Sequence, residues 1–260
     1  MLFDYFHALS GAPIFIEGVG HFHSPKLHQL IWENGFGLQE YIIYLRLLSW
    51  DKEQLLEYKK MKKHTVDGRL LREQVSAYDI ITLTSDLRGF YARTLSFFMS
   101  ENEEVVWDEK RRHFAVIIAD EDGHHPCGVI DRQNFEYVRK LILQLNFVGI
   151  NSDETPVEHS NEKTKELWEQ VQGYLREQSK KQSGEEKPEY HISNIVSKLC
   201  AAHPSYNLLN VYELTVFQLY DAFFQVSYLR GADLNERIFS NHGGEKFKFE
   251  HWLKPILKIT

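Results

Sequence analysis

The sequence predicts a mainly helical α+β protein, with an N-terminal helical unit that carries a small antiparallel β-hairpin or sheet and a helical C-terminal unit. Two observations predict this class. Apolar residues recur every three or four positions along most of the chain, as they do on one face of a helix. Runs rich in β-branched and aromatic residues are short and lie only in the middle of the chain, around an Asp-Gly turn signal.

The first predicted unit covers residues 1–150 and begins with turns and one extended run. Ile14-Phe15-Ile16 lies between glycine-containing turns and is predicted to be extended. Ser24-Pro25 has the form of a helix start, because serine caps helices and proline suits the first helical position. The apolar spacing then predicts four further helical segments, at 38–50, at 52–63 with Asp51 as its cap, and at two places within 70–98 separated near Thr82–Ser85.

The middle of the chain predicts a small sheet. Its strands are expected at 105–107, 113–119 and 127–130, with a turn at 120–123 between the last two. So small a sheet is marginal by itself, so it should pack on the following helix, 135–147. The apolar stripe of that helix contains Val138, Leu141, Ile142 and Leu145.

Two polar segments that contain proline separate the predicted units. These segments form the two ends of a predicted linker at 151–189. Within it, residues 163–178 are predicted to form a strongly charged helix with a narrow apolar stripe. The helical C-terminal domain is predicted over 190–260. It begins with a helix at 192–201, and a second helix starts at Thr215, whose spacing to Gln218 is that of a capping box. An earlier cap at Asn210, with Glu213, is the alternative start of this second helix.

The composition limits the classes of partner. The chain has 30 Lys and Arg against 37 Asp and Glu, a formal charge of −7, which disfavours nucleic acid. No run approaches the roughly 18 apolar residues that a membrane-spanning helix needs. The two cysteines lie far apart, as is common in a reducing compartment. We therefore expect a protein of a reducing cytoplasm with no nucleic-acid or membrane partner; a homo-oligomer stays open.

Histidines provide the sharpest enzyme-like signal. His21, His23, His124 and His125 lie near carboxylates and Cys127, and all of these groups can bind zinc. Their spacing lacks the helix-turn or Cys-x-x-Cys pattern of known zinc sites, and a hairpin tip also explains His124 and His125. A metal-dependent enzyme is thus kept only as an alternative.

Sequence motifs of catalysis are absent. The chain has no phosphate-binding loop, dinucleotide fingerprint, nucleophile elbow or zinc-protease helix motif. The prediction is a non-enzymatic protein that needs no cofactor and no metal.

Aromatic residues supply the candidate binding site. Phe217, Tyr220, Phe223 and Phe224 lie on one broad helical face, which is typical either of a core or of a groove for a partner helix. The same two interpretations, a core residue or a partner contact, apply to Trp168 on the charged segment and to Trp252 in the C-terminal tail. We take these six residues as the candidate partner-binding set.

The run from Asn210 to Phe223 is followed by His251-Trp252-Leu253, and segments 25–30 and 41–45 and the central hairpin precede it in the chain. In these segments and their order the chain resembles proteins encoded in tail-gene clusters of phages and prophages of Gram-positive bacteria, often described as tail assembly chaperones. The resemblance implies binding to the tape-measure protein or tail-tube subunits during tail assembly in the host cytoplasm; alternatives are a structural component of the finished virion or an inhibitor of a host defence protein.

Overall fold

A computed structural model describes residues 2–32, 37–58, 75–83, 85–120, 123–148 and 191–242. The predicted class is confirmed, because this part of the chain is mainly helical and contains two small antiparallel sheets. The predicted linker at 151–189, its charged helix and the C-terminal tail lie outside the described residues.

The elements are named here in chain order. The helices are α1 Tyr5–Leu9, α2 Gln29–Trp32, α3 Gly37–Ser49, α4 Lys52–Tyr58, α5 Ala77–Thr82, α6 Ser85–Phe97, α7 Phe135–Leu145, α8 Ile192–Ala202 and α9 Val216–His242, with a 3-10 turn at Val211–Glu213 before α9. The strands are β1 Ile14–Ile16, β2 Gly20–Phe22, β3 Glu103–Asp108, β4 His113–Asp120 and β5 Gly123–Ile130.

The predicted central sheet is confirmed as an antiparallel meander in the order β3-β4-β5. The register between β4 and β5 shifts at Val116 and Ile117, which pair with Gly128 and Pro126, so that Cys127 is the extra residue of a bulge in β5. The outer edge of β3 is covered by α6, where the Val105 N–H donates to Ser96 Oγ at 2.8 Å. A side chain thus satisfies a backbone donor that an edge strand would otherwise leave unpaired.

A second, two-stranded hairpin joins the predicted extended run to β2, in the register Ile14–Phe22 and Ile16–Gly20. This hairpin lies against β5, because the Val129 N–H donates to the Gly18 carbonyl at 2.9 Å. The contact is close enough that a Cβ added at Gly128 would lie 2.1 Å from the Val19 carbonyl oxygen. Glycine at 128 therefore lets the two sheets approach each other.

Several predicted helices are confirmed. Helices α3, α5, α6 and α7 lie where the apolar spacing places them, and the gap between α5 and α6 falls at the predicted break. Asp51 caps α4, since its carboxylate accepts the Gln54 N–H at 2.8 Å. Helix α4 is described as far as Tyr58, and the rest of the predicted segment 52–63 lies outside the described residues.

The core joins the N-terminal and C-terminal parts of the chain. All four residues of the predicted α7 stripe are buried, and they belong to one hydrophobic cluster that also contains side chains of α8 and α9. Phe147, just after α7, packs its ring on Phe217 and Phe224 of α9 at centroid distances of 5.0 and 5.8 Å. Residues of both predicted units therefore share a continuous core within the described chain.

The predicted helix start at Ser24-Pro25 is wrong. Residues 25–28 instead hydrogen-bond with 212–216: Lys26 forms a β-bridge to Thr215, residues 27 and 28 form a turn, and α2 begins only at Gln29. Ser24 is nevertheless a cap, because its Oγ accepts the Phe217 N–H at the start of α9 at 3.0 Å. Serine is thus a cap, as its residue type predicts, but the N–H that it accepts lies 193 residues further along the chain, which local patterns cannot reveal.

Candidate interaction surface

Helix α9 begins at a doubly capped N-terminus. The predicted capping box is confirmed: the Gln218 N–H donates to Thr215 Oγ1 at 3.2 Å, and the Thr215 N–H donates to Gln218 Oε1 at 2.8 Å. The Gln218 amide also donates to the Leu9 carbonyl at 2.8 Å. Together with Ser24, these bonds satisfy orphan backbone donors of the first turn and tie α9 to the N-terminal part of the chain.

The first half of α9 lies inside the protein. Phe217, Tyr220 and Phe224 are buried in the shared core, whereas Phe223 is only partly buried and packs against its edge. The phenolic O–H of Tyr5 on α1 donates to the Asp221 carboxylate on the flank of the same half. Burial raises the pKa of both groups. The hydrogen bond between them raises the pKa of Tyr5 further and partly offsets the rise in the pKa of Asp221.

These positions bear directly on the predicted partner-binding set. Three of its six members, Phe217, Tyr220 and Phe224, form core contacts in this chain, so a partner could reach them only after α9 separated from the core. Phe223 is the member whose ring is partly accessible. Trp168 and Trp252 lie outside the described residues.

The second half of α9 continues past the core. Its last buried side chain among the described residues is Tyr228, yet the helix runs to His242. At 1.5 Å per residue this continuation is roughly 21 Å long. Leu229 and Leu234 are exposed on it, among charged residues of both signs.

A tight loop before α9 was missed by the sequence reasoning. It carries Leu208 and Leu209, here called the leucine tip, whose exposed fractions are 63% and 93%. Asn207 Oδ1 accepts the Leu209 N–H at 2.8 Å, and Asn210 Oδ1 accepts the Asn207 N–H at 2.8 Å. The signal was present as two asparagines three residues apart, a spacing that allows reciprocal capping of one turn.

The histidines are dispersed. His21 is half-exposed, and its Nδ1 lies 2.8 Å from Glu103 Oε1, while Glu103 Oε2 accepts the His21 backbone N–H at 2.8 Å. His23, just after the end of β2, is more enclosed, and burial lowers its pKa. His124 and His125 are exposed on β5.

The arrangement provides little for metal chemistry. Among the described residues, no three His, Cys, Asp or Glu side chains are grouped so that they could hold a metal ion. Partial desolvation and the nearby Glu103 carboxylate raise the pKa of the Cys127 thiol, so it is not held as a reactive thiolate. The Glu103–His21 pair serves instead to join β2 to β3.

No described helix is both long enough and apolar enough to cross a lipid bilayer.

Comparison with protein families gives a match in the C-terminal part of the chain. Residues 179–257 match the model of the YomV second domain, and YomV is a protein of a Bacillus phage or prophage region. The matched part is less than a third of the 260 residues and includes α8, the leucine tip and α9. Curated proteins and solved structures yielded no match. The match supports a phage-derived protein.

Proposed function

We propose that this phage-derived chain is a non-enzymatic protein that binds the tape-measure protein or the tail-tube subunits during tail assembly in the host cytoplasm. The C-terminal match supports the phage origin. The choice of tail proteins follows the resemblance to tail-cluster proteins, carried by residues 210–223 and 251–253.

The observation that carries the protein-binding part of the proposal is the division of α9 into two halves. The first half is fixed in the core by aromatic packing and by caps from distant segments. The second half extends past the core and exposes Leu229 and Leu234 between charged side chains. A rigid helix of mixed apolar and charged surface suits contact with another helix, which buries apolar side chains and pairs charges at the rim.

The charge of the chain supports the same class of partner. A formal charge of −7 keeps the protein soluble while it binds apolar segments, and it accelerates association with basic proteins at low salt. An assembly factor for a long apolar helix requires apolar helical faces together with an acidic, soluble exterior.

The test uses the full chain with an affinity tag, co-expressed separately with the tape-measure protein and with the tail-tube subunit of its own phage region. We expect one of them to co-purify at a fixed ratio, with the complex unaffected by EDTA. If the wild-type chain retains neither protein, the proposed function is refuted. Quantitative mass spectrometry of purified particles then separates an assembly factor, which is absent from them, from a virion component, which is present at constant copy number.

A further inference from the structure

We infer that the turn between β3 and β4 is a docking site for a carboxylate-rich segment of a partner protein. This turn, here called the basic turn, presents Lys110, Arg111 and Arg112 in succession, and all three residues are exposed. It belongs to the central sheet and not to helix α9, so the inference does not depend on the proposed function.

The backbone of the basic turn is ordered before any partner binds. Asp108 pairs with His113 at its base, and the Arg112 N–H closes the turn by donating to the Asp108 carbonyl at 2.8 Å. Asp108 Oδ1 also accepts the N–H groups of Lys110 and Arg111, at 2.8 and 3.1 Å. The backbone that carries the three cations is therefore preformed, which lowers the entropy cost of association.

The two carboxylates of the turn leave it with a net positive charge. Glu109 forms an ion pair with Arg88 of α6, whose Nη1 lies 2.8 Å from Glu109 Oε2. The pKa of Asp108 is lowered, chiefly by the hydrogen bond from the Arg111 N–H and also by the nearby Arg111 charge, so this carboxylate offsets one of the three cations. Within the part of the chain that the structure describes, none of the three forms a salt bridge.

Arg112 occupies a position that favours glycine. Its φ is 56°, in the left-handed region, which glycine adopts readily and other L residues adopt at a steric cost. The Arg112 guanidinium forms no hydrogen bond or ion pair with the described residues that would repay this cost. An arginine held in a strained conformation and free of contacts within the fold is available to bind another molecule.

The size and composition of the basic turn favour an acidic protein segment over nucleic acid or a membrane. Residues 108–113 include no apolar residue and no Phe, Tyr or Trp that could enter a bilayer or stack on a base. Three residues span at most about 10 Å of chain, which suits a few clustered carboxylates. A long polyanion or an anionic lipid surface would also face the remainder of a chain whose formal charge is −7. Guanidinium groups bind carboxylates through paired hydrogen bonds.

The experiment measures binding of the full chain to a short fluorescein-labelled peptide of alternating Glu and Gly, by fluorescence anisotropy at physiological ionic strength. The wild type should bind, and its affinity should fall as NaCl is added. The variant Lys110→Gln, Arg111→Gln, Arg112→Gln should bind at least about tenfold more weakly, because it loses the charge-assisted hydrogen bonds. A wild type that does not bind the peptide, or a variant that binds within a factor of two of it, would overturn the inference.

A matched control separates the site from the total charge. The variant Arg93→Gln, Lys140→Gln, Lys198→Gln removes three exposed cations from α6, α7 and α8, and so reaches the same net charge. It should bind the peptide as the wild type does, and an equal loss in both triple variants would contradict a specific site. Tighter binding of a thymidine oligonucleotide or of phosphatidylglycerol vesicles, abolished in the Lys110→Gln, Arg111→Gln, Arg112→Gln variant, would overturn the choice of a protein partner.

The single variant Arg112→Gly distinguishes a binding role from a structural one. Glycine removes the strain at the left-handed position, so the melting temperature should stay the same or rise while the peptide binds more weakly. A lower melting temperature with unchanged binding would show that Arg112 serves the fold and would refute its assigned role. None of these measurements uses the tail proteins, so failure of this inference leaves the proposed function standing, and the reverse also holds.

Discussion

Truncation of Phe217 to alanine tests whether the aromatic face of α9 belongs to the core. Its ring is almost fully buried and contacts the rings of Phe3, Tyr5 and Phe147 at centroid distances of 5.7, 5.9 and 5.0 Å. Removal of a buried phenylalanine ring costs about 3–5 kcal/mol through lost burial and the cavity that remains. Since three aromatic contacts are lost together, we expect the upper part of that range.

The matched comparison is Phe223→Ala on the same helix. Phe223 is only partly buried, and its one described ring contact is with Phe224 at 5.8 Å. Its truncation should cost about 1 kcal/mol, as expected for a residue away from the fully buried core. Guanidinium chloride unfolding, followed by far-UV circular dichroism, gives both values, provided that the slope against denaturant concentration is unchanged.

The result also decides how the aromatic face is used. In thermal melting, the Phe217→Ala loss corresponds to a decrease in Tm of roughly 6–20 °C, and the Phe223→Ala loss to a few degrees. A loss for Phe217→Ala below about 1 kcal/mol, or equal losses for the two variants, would contradict the core assignment and would mean that the face is free to bind a partner.

Three further predictions concern stability. Ser24→Ala should cost about 1 kcal/mol, measured by denaturant unfolding, because the Phe217 N–H loses its acceptor; no loss would mean that water replaces the cap. Burial lowers the pKa of His23 and so favours its neutral form, and the stability of the wild type should therefore fall as the pH decreases below 6.5, the ordinary pKa of histidine. The His23→Gln variant should show a smaller decline, and parallel profiles of stability against pH for the two proteins would contradict this. Gly128→Ala should destabilise the protein by about 1–3 kcal/mol, because the added Cβ would clash with the backbone of Val19. The control is Gly89→Ala, which has open space around it in a helix and should stabilise the protein by about 0.5–1 kcal/mol. If the Gly128→Ala variant melted at a higher temperature than the Gly89→Ala variant, the packing assigned to Gly128 would be refuted.

The sequence by itself determined those features that depend on neighbouring residues. The stripe of α7, the three-stranded meander and the capping box at Thr215 are all set by periodicity or by contacts within a few positions. Such patterns act through local backbone geometry and the side on which apolar residues fall, so they can be read without knowing the rest of the fold.

The tertiary structure decided which surfaces are inside and which are available. Phe217 and Phe223 look alike in sequence, yet one lies in the core and the other at its edge, because α1 and the chain after α7 cover only part of α9. Ser24 caps a helix far along the chain for the same reason. Contacts between distant segments fix both outcomes, and the exposure of the leucine tip likewise follows from what the remaining chain leaves uncovered.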